Sequence, residues 1–294
     1  MFENSQSETD SVPLLSIEAQ LKSASIELLA SGSDSPSLDA AVLLCHVLDK
    51  PRSYLLTWPE RELTKEQLTD FETVMERRKK GEPVAYILGE REFWSLPLKV
   101  EPSTLIPRPD TERLVELALD KIPTSPCQIL DLGTGTGAIA LALASELPNH
   151  SLTGIDIRPE AQALASENAK RLALNNSCFL QGSWYSPLED GTKFACIVSN
   201  PPYIEKDDPH LVQGDVRFEP LSALVAEEKG MADLTYIANH GRQFLVEAGW
   251  LLMEHGFEQG QAVREMMQSF GYTDVETAQD YAGNDRVTLG RYTN

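Results

Sequence analysis

The stretch Ile129-Leu130-Asp131-Leu132-Gly133-Thr134-Gly135-Thr136-Gly137-Ala138 sets three glycines at alternate positions between a strand-like apolar run and a helix-like one. Without Cβ atoms, glycines permit a tight turn and let a ligand lie against the backbone at a helix N-terminus. A turn of this kind joins a β-strand directly to a helix, and from Cys127 onward the same alternation repeats. Strand patterns fall at 127–132, 152–157, 177–181, 194–199, 249–254, 272–278 and 286–292, and helix patterns fall near 137–147, 159–173, 230–247 and 259–270. This order predicts an α/β fold, a mostly parallel seven-stranded sheet with helices on both faces. Only the loop DYAGND separates the last two strands, so they are expected to pair antiparallel, a departure from the dinucleotide-binding Rossmann plan.

The first third of the chain reads as helices. Apolar residues recur at helical spacing from Leu14 to Leu29 and from Leu38 to Leu48, with Gly32 ending the first helix and Ser37 placed to cap the second. Thr64-Lys65-Glu66-Gln67 fits a capping box for a helix that runs to Gly81. From Pro83, aromatic and β-branched residues broken by Gly89 and Pro97 predict a short hairpin, and a further helix spans Asp110 to Lys121. The expected organisation is a small all-α domain over 1–82, a hairpin connector over 83–108 and the α/β domain over 109–294.

Composition excludes several function classes. The 294 residues hold 25 Lys and Arg against 45 Asp and Glu, a net charge of −20. Residues 1–80 carry 9 basic and 14 acidic side chains (−5), and the remainder carries 16 and 31 (−15). A protein that grips phosphates does so with Lys and Arg; the basic cluster Arg77-Arg78-Lys79-Lys80 instead complements the negative end of a helix. No nucleic-acid partner is expected. The longest apolar run, Ala138 to Ala144, has seven residues, against the roughly twenty that span a bilayer. The first fifteen residues are acidic and polar, unlike a secretory signal. A cytoplasmic, monomeric protein without a membrane partner is expected. Cys45, Cys127, Cys178 and Cys196 show no C-x-x-C spacing and read as buried thiols. His46, His150, His210, His240 and His255 form no close ligand pair, so no metal site is expected.

Two elements carry chemistry. Asp156 ends the strand SLTGIDI 23 residues after Gly133, where a carboxylate can accept hydrogen bonds from both ribose hydroxyls. With the glycine loop this makes an adenosine-binding arrangement. The glycine spacing departs from G-x-G-x-x-G, and Asp131 ahead of the loop can face a ligand's ammonium group. Both features favour S-adenosylmethionine over a nicotinamide dinucleotide. After the third strand comes Gln181-Gly182-Ser183-Trp184-Tyr185, where Trp184 either lies on the adenine face or packs under a loop.

The fourth strand runs into Asn200-Pro201-Pro202-Tyr203. Two prolines fix two φ angles and push Asn200 out of the helical region. Asn200 Oδ1 and the Pro201 carbonyl then form a rigid acceptor pair suited to a planar NH2 group, and neither is a base at neutral pH. Tyr203 can stack on the same flat group. An amide nitrogen is a poor nucleophile, so catalysis is expected from alignment and from stabilising charge on nitrogen, without a metal or covalent nucleophile.

This N-P-P-Y element, together with D-L-G-T-G-T-G-A-I-A-L-A-L-A, resembles the class I S-adenosylmethionine-dependent methyltransferases that modify planar amide or amino nitrogens. Within them, YILGEREFWSLPLKVEPSTLIPRPDTERLVELAL (Tyr86 to Leu119) resembles the connector of the HemK-type release factor glutamine methyltransferases, and the likeness runs from the N-terminal helices through the last strand. The resemblance implies a Rossmann-like sheet with an antiparallel last strand. It implies that Gly133, Thr134, Gly135, Thr136 and Gly137 cradle the methionine part of the cofactor, that Asp156 holds the ribose and that Trp184 sits by the adenine. Asn200 would bind both the cofactor and the substrate amide, with Pro201, Pro202 and Tyr203 completing a catalytic, substrate-binding pocket. The implied substrate is the glutamine of the Gly-Gly-Gln motif in peptide chain release factors, methylated on N5 in translation termination, with S-adenosylhomocysteine as product and the helical domain recognising the release factor. A ribosomal-protein glutamine would need the same chemistry. DNA amino groups fit the same acceptor pair but meet a −15 charge, and intact Gly133, Asp156 and Asn200 argue against a non-catalytic adaptor.

Overall fold

In the computed structural model, which describes residues 16–212 and 214–293, the chain separates into two units between Leu88 and Gly89. The first unit holds helices α1 (Ile17–Ala30), α2 (Pro36–Leu48), α3 (Arg52–Thr57), α4 (Lys65–Lys79) and α5 (Val84–Leu88). Their apolar faces meet in a core that includes Leu28, Leu43, Leu44, Leu63 and Phe71. The capping box at α4 is complete: the Thr64 hydroxyl accepts from the Gln67 N–H and the Gln67 side chain accepts from the Thr64 N–H. Arg77, Arg78 and Lys79 do lie in the last turn of α4, where they suit the helix dipole. They are also taken up in ion pairs, Arg77 with Glu82, Arg78 with the buried Asp39, and Lys79 with Glu27 and Glu76.

Three local readings differ from expectation. Helix α2 begins at Pro36, not after a Ser37 cap, because proline suits the first helical position and Ser35 takes the cap position. Helices α3 and α5 span 6 and 5 residues, too short for a periodic signal. Helix α5 lies in the helical unit, with Ile87 in that unit's core, so residues 83–88 do not begin the hairpin connector. Leu14, where the first predicted helix starts, lies outside the described residues.

The second unit opens with the hairpin β1 (Glu90–Phe93) and β2 (Leu96–Lys99), followed by α6 (Glu112–Lys121). The alternating region then runs β3 (Gln128–Leu132), α7 (Ala138–Glu146), β4 (Ser151–Asp156), α8 (Pro159–Arg171), β5 (Ser177–Gln181) and β6 (Phe194–Ser199). It continues through α9 (Glu227–Gly230), α10 (Ala232–Gly241), β7 (Leu245–Glu254), α11 (Gly260–Ser269), β8 (Tyr272–Gln279) and β9 (Asp285–Tyr292). The seven strands order as β5-β4-β3-β6-β7-β9-β8. Strands β3 to β7 pair in parallel, and β9 runs antiparallel to both β7 and β8.

Side chains alternate between two cores. Ile129, Val198 and Leu252 join α6, α7 and α8 on one face, while Leu130, Ile197 and Leu251 join α10 and α11 on the other. The run Ala138–Ala144 is apolar on every side because all seven of its residues are buried. Strand β7 starts at Leu245, and α10 ends at Gly241, where the sequence pattern extended the helix to 247 and began the strand at 249. The apolar pair Leu245-Val246 fits either period; pairing with Phe194 decides for strand, and Ala248, at φ +63°, carries the irregularity. Cys196 is buried in β6 as expected, but Cys178 is exposed because β5 is an edge strand. Among the described residues no helix is long and apolar enough to cross a membrane.

Leu252 sits fully buried in β7, an interior strand of the sheet. Leu252→Ala should lower unfolding free energy by about 3 kcal/mol through lost burial and a residual cavity, read from urea denaturation followed by circular dichroism.

Candidate active site

Strand β3 has β4 on one side and β6 on the other, so the chain leaves it in both directions across the sheet. Open α/β sheets bind ligands at such a switch point, beyond the carboxyl ends of the strands. A cleft of about 330 Å³ lies there, within the range of small-molecule sites.

The loop after β3 forms one wall. Gly133, Gly135 and Gly137 have φ of +71°, +55° and +83°, a region costly for residues with a Cβ. Gly135 lines the cleft, and a Cβ there would meet no atom within 4 Å, so bare backbone faces the ligand space. Gly137 serves packing instead: it does not line the cleft, and a Cβ would come within 3.1 Å of Ala165 and Leu141. Thr134 and Thr136 line the cleft with Gly133.

Asp131 lies beneath this loop, 1% exposed and away from the cleft lining, and so does not face a ligand ammonium group. Its Oδ2 accepts from the Thr134 hydroxyl at 2.6 Å and from the Ala140 N–H at 3.2 Å, tying the loop to the start of α7. Asp156 does reach the cleft. Its Oδ2 accepts from the Gly135 N–H at 2.9 Å and its Oδ1 from the Arg158 N–H at 3.0 Å, so the backbone aims both oxygens. Burial raises its carboxyl above the ordinary value, against those N–H groups. The Trp184 ring lies over Gly133, 3.5 Å from where a Cβ would stand, and also lines the cleft.

Asn200 and Pro202 line the opposite wall. Asn200 Nδ2 donates to Thr111 Oγ1 at 3.1 Å, which engages the donor end of the amide and leaves Oδ1 as the acceptor. Pro201 is buried and does not line the cleft. Tyr203 also lies off the lining. Its hydroxyl donates to Glu254 Oε1 at 3.4 Å and its carbonyl accepts from Gln259 Nε2 at 3.2 Å, so the residue is engaged from behind by the β7 end and the segment after it.

Several contributors carry no sequence signal of their own. Thr111 and Arg108 come from the segment before α6 and line the cleft. Arg108 pairs with the buried Glu219, which also accepts from the Ile106 N–H, anchoring that segment to the loop after β6. Asn168 is fully buried and joins Lys99 in the hairpin to the Thr136 carbonyl in the glycine loop. Each joins segments far apart in the chain, which no local spacing rule reads.

The chain is similar in sequence to known proteins. Residues 19–89 match the family described as PrmC N-terminal domain, and residues 112–215 match the Methyltransferase small domain. The release factor glutamine methyltransferase of Vibrio cholerae is 68% identical over 278 residues, 95% of this chain and 97% of its own length. This chain belongs to the release factor glutamine methyltransferase family. The family member from Aliivibrio fischeri is 62% identical over 278 residues, 95% of this chain and 98% of its own length. A methyltransferase from Pyrococcus furiosus shares the fold, with a TM-score of 0.52 at 17% identity over 76% of this chain and all of that one.

In this family member, burial pushes the Asp131 carboxyl up to about 7 from an ordinary 3.8, against the pull of the Thr134 and Ala140 hydrogen bonds. The folded state therefore holds a proton that the unfolded chain releases, and this contribution to stability is full below pH of about 4 and lost as pH rises through about 7. Asp131→Asn keeps one oxygen for Thr134 and Ala140 and puts an uncharged nitrogen where Oδ1 has no partner. Its stability should fall less steeply than wild type between pH of about 4 and 7; parallel slopes in urea titrations would exclude Asp131 as the source.

Proposed function

We propose that the protein transfers a methyl group from S-adenosylmethionine to the side-chain amide nitrogen, N5, of the glutamine in the Gly-Gly-Gln motif of peptide chain release factors, acting in the cytoplasm. The observation that carries this reading is the Asn200 amide on the cleft wall, its nitrogen end bound to Thr111 and its oxygen end left to accept.

The residues fit the cofactor. Gly133 and Gly135 offer bare backbone to the methionine part, the Asp156 carboxylate suits ribose hydroxyls, and Trp184 with Ile155 and Ala161 provides apolar surface for adenine. When bound, S-adenosylmethionine supplies an electrophilic methyl group on a sulfonium. The chain's own part is alignment. In this reading Asn200 Oδ1, on the cleft wall, accepts an N–H bond of the glutamine carboxamide. That fixes its plane, points the face of the nitrogen at the methyl group, and stabilises positive charge growing on nitrogen. Pro201 and Pro202 keep the turn stiff, and Tyr203 supports it from behind through Glu254.

We assign recognition of the release factor to the helical unit. Helix α1 exposes Ile26 (61%) and Leu29 (65%), three residues apart and so on one face. Such apolar exposure suits a protein partner, and the −15 charge of the remaining chain opposes a nucleic-acid one.

Asn200→Ala should lower kcat by about a hundredfold or more in a methyl-transfer assay with purified release factor, while its melting temperature stays close to wild type. Wild-type turnover would remove Asn200 from the mechanism. The double variant Ile26→Asp, Leu29→Asp should lower kcat/KM for intact release factor while sparing a short Gly-Gly-Gln peptide. Equal loss on both substrates would show that the α1 face does not contact the protein substrate.

A further inference from the structure

The turn that carries Asn200 is stiff within itself, yet its prolines do not set where it lies. Pro201 and Pro202 have fixed φ, free ψ and no N–H to donate, so neighbouring groups must hold the turn at its ends. At the upstream end the Ser199 hydroxyl donates to the Leu132 carbonyl at 2.7 Å. At the downstream end Gln259 Nε2 donates to the Tyr203 carbonyl at 3.2 Å, while Gln259 Oε1 accepts from the Gly256 N–H at 2.8 Å. One side-chain amide thus joins the Asn-Pro-Pro-Tyr turn to the segment between β7 and α11.

Gln259 is itself fixed. It stands at the N-cap of α11, where its carbonyl accepts from the Val263 N–H at 3.0 Å and its own N–H donates to the Gly256 carbonyl at 2.9 Å. The turn from Gly256 to Gln259 is therefore closed twice, once by backbone and once by side chain. Gly230, the last residue of α9, presses on the same place. It has φ +76°, and a Cβ there would overlap the Tyr203 carbonyl oxygen and stand 2.6 Å from Gln259 Nε2. Three segments remote in the chain close on one carbonyl. The task at Gln259 needs an amide: a carboxylate could still accept from Gly256, but it would set oxygen against oxygen at Tyr203.

We propose that Gln259 is a positioning residue for methyl transfer: by holding the Tyr203 carbonyl it fixes the downstream end of the turn, and with it the places of Pro202 and Asn200 on the cleft wall. The inference rests on the methyl-transfer reading above, in which that wall aligns the glutamine carboxamide.

The test measures kcat and KM on purified release factor, cofactor affinity by calorimetry and melting temperature for the full-length chain and two variants of similar size. Gln259→Glu keeps the acceptor for Gly256 and loses the donor to Tyr203; Gln259→Met loses both. A role confined to the Gly256 turn and the start of α11 would leave Gln259→Glu at wild-type activity. Positioning of the Asn-Pro-Pro-Tyr turn instead predicts that Gln259→Glu loses kcat at least as far as Gln259→Met, by about tenfold to a hundredfold. Cofactor affinity should stay close to wild type, and the melting temperature should fall by no more than a few degrees. Wild-type kcat in Gln259→Glu overturns the proposal, as does a loss of cofactor affinity parallel to the loss of kcat. If Gln259→Glu does not fold, Gln259→Met decides: a lowered kcat at unchanged cofactor affinity upholds the proposal and a wild-type kcat overturns it. A wild-type enzyme that leaves release factor unmethylated overturns the methyl-transfer reading itself, and is seen before any variant is compared.

Discussion

The parallel register of β3, β6 and β7 governs everything at the cleft. Leu132 pairs with Ser199 and Ser199 with Met253, so the three strands end level, and the Ser199 hydroxyl donates to the Leu132 carbonyl at 2.7 Å to hold them so. The glycine loop and Asn200 leave the sheet at that one edge, where Glu254 ends β7. A slip of one residue in β6 would send Asn200 to the opposite face, and its amide would lose both Thr111 and the cleft. All six residues of β6 are buried, so a slip would exchange side chains between two close-packed cores, which is what makes it costly.

Around this edge the protein uses buried polar groups as struts. Asp131 holds the glycine loop from below, Asn168 holds it from the side, and the Arg108–Glu219 pair fastens the segment before α6 to the loop after β6. Each is a polar group removed from water, tolerable only where hydrogen bonds replace hydration. Burial raises the carboxyls of Asp131, Glu219 and Glu254 alike. Burial disfavours the charged form of such an acid, and the N–H and O–H groups that donate to it offset part of that cost. The groups that the proposed function assigns to the substrate are, by contrast, neutral acceptors. That division suits a reaction in which a weak nitrogen nucleophile needs orientation more than it needs a strong base.

Legibility in the sequence followed locality. The capping box at Thr64 appeared in the structure as read, since its partners lie three residues apart. The alternation from Cys127 onward also translated directly into strands and helices, because period and burial agree over each segment. Short or ambiguous segments did not: α3, α5 and the start of β7 depended on what packs or pairs with them. In the site, Gly133, Thr134, Gly135, Thr136, Asp156, Trp184, Asn200 and Pro202 came together at one cleft, while Gly137, Pro201 and Tyr203 lie off its lining.

The amino-acid sequence by itself determined the two-part plan of helices followed by an alternating sheet, the glycine turn with its distant acid, and the stiff turn beginning at Asn200. All of these are set by the backbone preferences and spacing of residues near one another in the chain. Only the tertiary structure decided that β9 slots between β7 and β8, that Asp131 turns inward, and that Thr111 reaches an amide 89 residues away. Those outcomes depend on pairing and on the satisfaction of buried donors and acceptors between remote segments, and a linear sequence carries no distance between residues that far apart.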